Sequence, residues 1–335
     1  MEPVKITKLK DEAYDKKGMM RWLIIGVILA VVASITVYAI YTMATTEPII
    51  PREIPNFDRA GNPVSIPAEF ETLVTIGPSN TEIVVGLGLG GSLIAIDTLS
   101  ADVSGVPAGL PLLDFESIDA ETLIALGPDI VIASGLIIEN AEGINPLAAV
   151  AEAGAAVLII PQSESAFAIA NDIAFIGAAL DAMSAGAVMS MELGAMIAFF
   201  AEMSQDIANG LFPHPGSVYI ETASAPYLQS FGQGVLLQEF IELMGADNIF
   251  AEEVGRISVS GEQVISANPD VIITNVNRAD AVYEIMSRPG WENISAVANG
   301  RVYQINPITS TRPSQYIIYA LDELSMILHP DFFRD

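Results

Sequence analysis

DAETLIALGPDIVIAS, at residues 119–134, aligns without gaps to SGEQVISANPDVIITN at residues 260–275. Glu121 matches Glu262, and a Pro-Asp pair occupies the same place in both copies. Each copy reads as a short helix that begins at a capping Asp or Ser, ends at the Pro-Asp turn and leads into an apolar strand. A segment repeated once at so long a spacing predicts two related halves rather than a solenoid.

Short apolar runs alternate with capped helical stretches on both sides of this repeat. The candidate strands are residues 72–76, 93–97, 130–134, 157–161, 217–221, 271–275 and 301–305. Alternating strands and helices of this kind predict parallel sheets covered by helices. We therefore expect an α/β chain with two Rossmann-like lobes whose sheets are mainly parallel, an N-terminal lobe at 58–162 and a C-terminal lobe at 213–335.

A helical connector is predicted between the lobes, at residues 163–212. Its main part is a long helix at about 182–209, which Gly210 ends. The middle of this helix has membrane-like hydropathy, but Glu192 and Glu202 interrupt it and nothing basic flanks it. Because carboxylates in lipid are costly, we expect a water-soluble helix that joins the two lobes.

The N-terminal part of the chain predicts a membrane anchor. Residues 22–43 contain no charged side chain, and about 20 apolar residues suffice to cross a bilayer. Three basic residues lie just before this segment, so the positive-inside rule places a tail of residues 1–21 in the cytoplasm. Residues 44–57 then form a Pro-containing linker. The alternative is a cleaved signal peptide, although the apolar run is longer than such peptides usually carry.

Charge and cysteine content exclude several classes of function. The chain has 41 acidic and 14 basic residues and a net charge of −27, and six of the basic residues precede residue 22. So acidic a surface repels phosphate backbones, which argues against a nucleic-acid partner. The chain has no cysteine, so it has no disulfide, thiolate metal site, cysteine nucleophile or lipid-modified cysteine.

The sequence gives little support to an enzyme. Gly86, Gly88 and Gly91 satisfy the G-x-G-x-x-G pattern, but they close a predicted helix and precede a strand, the reverse of the nucleotide-binding context. The two histidines, His214 and His329, lie beside prolines without metal-ligand spacing. We therefore predict no catalytic activity, no cofactor and no metal site.

Four stretches together resemble a known family. They are TIGPSNTEIVVGLG at 75–88, the two copies of the repeat, and RPGWENISAVANGRVYQIN at 288–306. In this order they resemble the signatures of the iron-complex (siderophore or haem) and cobalamin substrate-binding proteins of ABC importers, over residues 58–330. The resemblance implies two lobes joined by a single rigid helix, a ligand between the lobes, and delivery to a membrane permease with a cytoplasmic ATPase.

The resemblance also implies a role for the two matched glutamates. In the resembling family, glutamates at these motif positions, one in each lobe, dock onto arginines of the permease. Glu121 and Glu262 would thus be the permease-docking residues. The alternative is that each carboxylate only interacts with the N-terminal dipole of its own helix.

Ligand contacts in that family come from strand ends and from loops that face the cleft. The matching candidates here are Asn80, Phe115, Tyr227, Phe231, Arg256, Asn275 and Arg312. For Arg312 the alternative is an ordinary surface ion pair, and for the phenylalanines it is core packing. Tryptophan occurs only at Trp22 and Trp291, which favours an iron-siderophore or similar metal chelate over a corrinoid.

The function expected from these patterns is that of a solute-binding component of an ABC importer, anchored in the cell membrane by a single span. Its N-terminus would be cytoplasmic and its binding domain extracellular. The alternative is an extracellular sensor or cell-surface scaffold built on the same fold, although residues 1–21 are too short for a signalling module.

Overall fold

A computed structural model describes residues 54–136, 145–163 and 165–333. The predicted cytoplasmic tail, the predicted anchor at 22–43 and most of the predicted linker lie outside the described residues. The description below concerns the unit that runs from Glu53 to Asp335.

The first sheet has five parallel strands in the order β3-β2-β1-β4-β5. Its elements are β1 (Leu73–Ile76), α1 (Pro78–Gly86), β2 (Leu93–Asp97), β3 (Leu112–Leu113), α2 (Ala120–Leu126), β4 (Ile130–Ser134), α3 (Pro146–Glu152) and β5 (Ala156–Ile160). Leu73 and Ile130 belong to one apolar cluster, and Val74 and Val131 belong to another. Since neighbouring side chains in a strand point to opposite faces, both faces of this sheet are buried.

Two helices follow the first sheet and form a hairpin. They are α4 (Ala166–Ala179) and α5 (Met183–Ala208). A Cβ on Gly177 would lie 2.8 Å from the Cα of Gly186, so the two helices cross at a point where only glycine fits. The long helix predicted at about 182–209 is confirmed by α5, and Gly210 follows it with φ +71°. The sequence did not separate α4 from the rest of the connector.

One face of α5 is buried along most of the helix. Leu193, Ile197, Phe200 and Ile207 recur at intervals of three, four or seven residues and lie in the core. Among the described residues, α5 alone is long and apolar enough to cross a membrane. Its packing against the body of the protein supports the prediction of a connecting helix.

The second sheet has four parallel strands in the order β11-β10-β6-β8, beside an antiparallel ribbon of β7 and β9. Its elements are β6 (Ser217–Glu221), β7 (Gln229–Phe231), α6 (Leu236–Leu243), β8 (Asp247–Asn248), β9 (Arg256–Ser258), α7 (Gly261–Ala267), β10 (Val271–Thr274), α8 (Ala281–Met286), α9 (Ser295–Ala298), β11 (Val302–Gln304), α10 (Ile317–Leu328) and α11 (Pro330–Phe333). All seven predicted strands occur with ends within one residue of the prediction. The α/β class with parallel sheets is confirmed.

The aspartate of the repeated Pro-Asp turn makes equivalent hydrogen bonds in both sheets. Asp129 Oδ2 accepts hydrogen bonds from the backbone N and Oγ1 of Thr72, at 2.9 and 2.8 Å. Asp270 Oδ2 accepts from the backbone N and Oγ of Ser217, both at 2.9 Å. Each carboxylate thereby ties the start of its own strand to the start of the central neighbouring strand, β1 or β6.

One apolar cluster runs from the first sheet to the second through the connector. It includes Ile130 of β4, Phe200 of α5, and Ile220 and Ile273 of the second sheet. Because interiors are packed as densely as organic crystals, a continuous core of this kind resists movement of one sheet relative to the other.

Candidate functional site

A cavity of about 270 Å³ lies at the carboxyl ends of β6 and β10. Thr222 directly follows β6, Asn275 directly follows β10, and both line the cavity. The order of the second sheet reverses between these two strands, and open α/β sheets bind ligands at such a reversal. Gln162 and Ser163, which come after β5 of the first sheet, also line the cavity. Both halves of the chain therefore contribute to one site.

The antiparallel ribbon supplies an aromatic ring and a cation to this cavity. Phe231 of β7 is paired directly with Arg256 of β9, and both line the cavity. Directly opposite residues in an antiparallel pair have their side chains on the same face. Phe231 is only 1% exposed, whereas Arg256 is exposed to solvent. The ribbon thus combines a buried apolar wall with a guanidinium that reaches water.

Several polar side chains of the lining are held in place. The amide of Asn275 donates to Ser310 Oγ at 3.3 Å, and Ser163 Oγ donates to Asp172 at 2.5 Å. Thr222 differs, because its buried Oγ1 has no hydrogen-bond partner in the described part of the chain. A buried hydroxyl without a partner is costly, and a ligand in the cavity could supply one.

A buried ion pair holds the residue that precedes Thr222. This residue, Glu221, is 1% exposed and pairs with Arg288 through two hydrogen bonds of 2.6 and 2.8 Å. The guanidinium of Arg288 also lies 4.5 Å from the ring centroid of Trp291. Burial alone would lower the pKa of Arg288, but the hydrogen bonds that its guanidinium donates to Glu221 and Glu284 hold that pKa above its usual value. Arg288 stays charged, and its two hydrogen bonds to Glu221 fix the end of β6.

A half-buried carboxylate links the two halves beside the cavity. Glu239 of α6 accepts a hydrogen bond from the backbone N of Ala166, the first residue of α4, at 2.7 Å. Burial raises the pKa of Glu239. The carboxylate caps the helix that begins just after the lining residues Gln162 and Ser163, so it helps to position them.

Of the seven predicted ligand contacts, Phe231, Arg256 and Asn275 come together in the cavity. The other four do not line it. Asn80 is buried and its amide donates to the carbonyl of Ile76 at 3.0 Å, Phe115 is half-buried against a cluster of the first sheet, and Tyr227 is 80% exposed. A ligand role for these residues stays a prediction.

Arg312 is engaged by carboxylates of the first half. Its guanidinium lies 3.0 Å from Glu82 Oε1 and 2.8 Å from Asp102 Oδ1. The Ser314 hydroxyl and the Gln315 amide also donate to Glu82. Burial acts to lower the pKa of Arg312, but the hydrogen bonds that its guanidinium donates to Glu82 and Asp102 outweigh this effect. The pKa of Arg312 is therefore above its usual value. We call these five residues the Glu82 cluster. The Glu82 cluster ties the loop after β11 to α1. The ion pairs of Arg312 resemble the alternative that the sequence analysis gave for this residue, an ordinary ion pair, although Arg312 is mostly buried here.

Glu121 and Glu262 occupy equivalent places in the two copies of the repeat. Each lies in the first turn of its helix, α2 or α7, and each is exposed. Asp119 caps the first helix, and Ser260 and Gln263 form a capping box on the second. Neither Glu121 nor Glu262 has an ion pair or side-chain hydrogen bond with any residue that the structure describes. Both carboxylates are therefore available to a partner.

Sequence reasoning missed Gln162 and Thr222. Both come within two residues of the end of a strand, and Thr222 follows a strand whose end was predicted correctly. The rule that ligands bind at the carboxyl ends of parallel strands could have identified Thr222. No group of three or more His, Cys, Asp or Glu side chains suited to a metal ion occurs within residues 54–136, 145–163 and 165–333.

Two parallel sheets, a connecting helical hairpin and a cavity at a strand-order reversal define a two-sheet α/β protein of the ligand-binding class. Residues 73–309 match the family described as Periplasmic binding protein, and the chain belongs to this family. The resemblance inferred from the four motifs is confirmed. Membership of a family of binding proteins agrees with the prediction that the chain is not an enzyme.

Similar proteins span most of the chain. The uncharacterized ABC transporter substrate-binding lipoprotein YvrC of Bacillus subtilis (strain 168) is 28% identical over 280 residues, 83% of this chain and 86% of its own. The vitamin B12-binding protein of Vibrio cholerae serotype O1 (strain M66-2) is 28% identical over 272 residues, 78% of this chain and 90% of its own. The periplasmic heme-binding protein RhuT from Roseiflexus sp. RS-1 has a TM-score of 0.66 at 21% identity, over 79% of this chain and 100% of its own, and shares the fold.

Proposed function

We propose that this protein is the solute-binding component of an ABC importer and that it captures a metal chelate or a corrinoid outside the cell. The observation that carries the proposal is the cavity at the carboxyl ends of β6 and β10, facing the end of β5, in a chain of this family. The names of the relatives, a substrate-binding lipoprotein of an ABC transporter and a vitamin B12-binding protein, support the same function.

The ligand would lie between two lobes, residues 58–162 and 213–335, which the connector at 163–212 joins. Phe231, Arg256 and Asn275 would contact it, together with the hydroxyl of Thr222. The continuous core supports capture with little movement of one lobe relative to the other.

The apolar segment at 22–43 would hold the binding domain at the outer surface of the cell membrane. The Bacillus relative is a lipoprotein, but this chain has no cysteine to carry a lipid. A transmembrane span would supply the same attachment, with residues 1–21 in the cytoplasm.

Glu121 and Glu262 would dock the loaded protein onto the permease, which works with a cytoplasmic ATPase. Their exposure, their lack of partners among the described residues and their equivalence in the repeat support this role. Two carboxylates, one in each lobe, would fix orientation and encounter rate more than affinity.

The test combines Glu121→Ala with Glu262→Ala in the full-length chain, in cells that carry the matching permease and ATPase. Uptake of labelled ferric chelate should fall to background, while the affinity of the purified double variant for that chelate should equal that of the wild type. The control is Glu152→Ala with Glu202→Ala, which removes two other exposed glutamates and should leave uptake unchanged. Normal uptake by the docking variant would refute the docking role, and loss of solute binding would show that the pair was misassigned.

A further inference from the structure

Most of the described arginines form an ion pair, but Arg256 does not. Four of the six described arginines pair with a carboxylate: Arg59 with Asp172, Arg278 with Asp280, Arg288 with Glu221 and Arg312 with Glu82. Arg256 and Arg301 have no such partner within the described ranges, and lysine does not occur after Lys17. Of these two, Arg256 alone lines the cavity.

The described lining contains no acidic residue. It has Arg256 as its single charged group, in a chain with 41 acidic residues and a net charge of −27. A carboxylate in the lining would occupy the guanidinium and repel an anion. Without one, the five N–H donors of Arg256 remain available, and the described lining carries a single positive charge in a negative protein.

Neutral donors accompany the cation. Thr222 Oγ1 is buried without a partner, and the amide of Asn275 lines the same cavity. Hydroxyl, amide and guanidinium groups all donate hydrogen bonds to oxyanions, and guanidinium binds carboxylates in a two-pronged geometry. These groups suit a ligand whose outer atoms are negatively charged oxygens.

The size of the cavity limits the ligand further. About 270 Å³ is just below the range of roughly 300–1,000 Å³ that is usual for small-molecule sites. Phe231 gives this space one apolar wall. A compact anion fits these dimensions better than a large, electrically neutral corrinoid.

We infer that the cavity selects a compact anionic solute, whose carboxylate or other oxyanion group pairs with Arg256 and accepts a hydrogen bond from Thr222. This rests on the proposed solute-binding function and narrows its ligand to acidic metal chelates and similar anions. Arg256 is then the residue that determines the charge of the solute. Because the chain carries a net charge of −27, binding of an anion would depend strongly on this one cation.

Calorimetry on the full-length chain in mild detergent tests the inference. It measures the binding of three probes: ferric citrate, sodium molybdate and cyanocobalamin. Ferric citrate should bind, and cyanocobalamin should bind at least about tenfold more weakly. Arg256→Gln should weaken ferric citrate binding about 10- to 100-fold, and Thr222→Val about 3- to 10-fold. The molybdate arm shows whether a bare oxyanion suffices or the chelate is needed. Thermal unfolding of each variant checks that it is folded.

Arg301→Gln is the matched control, because Arg301 is the other described arginine without an ion pair and lies outside the cavity lining, so its loss should leave every affinity unchanged. Equal binding of ferric citrate by wild type and Arg256→Gln would overturn the inference. Tight cyanocobalamin binding that does not need Arg256 would also overturn it, yet would leave the solute-binding function intact. Failure of all three probes to bind the wild type would overturn both.

Discussion

Single residues of the repeat have roles that the sequence indicated before their contacts were known. The helix before each Pro-Asp turn ends in a left-handed residue, Gly127 at φ +62° and Asn268 at φ +48°. Glycine and asparagine are the residues that adopt this conformation most readily, so the helix ends were predictable. The hydrogen bonds from Thr72 to Asp129 and from Ser217 to Asp270 were not predictable, because the partners are more than 50 residues apart in the sequence.

Asp129→Ala should destabilise the protein by about 1–2 kcal/mol at pH 7, because it leaves the start of β1 without its acceptor. Backbone N–H of Glu71 and the hydroxyl and N–H of Thr72 lower the pKa of Asp129. A lowered pKa gives a stabilisation that is complete above the unfolded value near 3.9 and is lost as the pH falls below it. The difference from wild type in urea unfolding should therefore shrink toward pH 3, and Glu202→Ala should show neither effect.

At the scale of elements, long or well-capped segments were predictable and short ones were not. The strands and α5 follow from apolar runs and from a Gly that ends the helix. The ribbon strands β7 and β9 have three residues each, too few to show a period of two. Their pairing brings Arg256 to Phe231, so the sequence named both residues but could not predict that they are neighbours.

Gly177→Ala tests the crossing of α4 and α5. The new Cβ would lie 2.8 Å from the Cα of Gly186, which is backbone and can yield only if the helices move apart. We expect a loss of about 1–3 kcal/mol in unfolding free energy. Gly194→Ala is the control, because no atom lies within 4 Å of its new Cβ and helix propensity should make it neutral or stabilising by up to about 1 kcal/mol. Equal effects of the two changes would refute the close crossing.

At the scale of the whole molecule, the two sheets are linked by the shared core, by Glu239 at the start of α4 and by the Glu82 cluster. The Glu82 cluster holds the loop after β11, and Pro307, Ser310, Thr311 and Pro313 of that loop line one side of the cavity. Contact between the halves and the shape of the site therefore depend on the same loop.

Arg312→Gln should release this loop, because Glu82 is 5% exposed at its side chain and would lose its charged partner. We expect a loss of about 1–3 kcal/mol in stability and faster amide exchange at residues 306–316. The control Arg278→Gln breaks an exposed pair with Asp280 and should change stability by less than about 0.5 kcal/mol. Unchanged exchange in Arg312→Gln would show that the cluster does not hold the loop.

The sequence by itself determined what local patterns encode. Apolar runs with capped helices gave the parallel sheets, the repeat gave two related halves, and the four motifs gave the family. Tertiary structure alone decided which polar groups meet. The sequence favours Arg312 over Arg256 as a ligand contact, but chain folding places two carboxylates within ion-pair distance of Arg312 and none of the described carboxylates within that distance of Arg256. The reason is that charge pairing depends on distances of a few ångström between residues far apart in the chain, which no local pattern records.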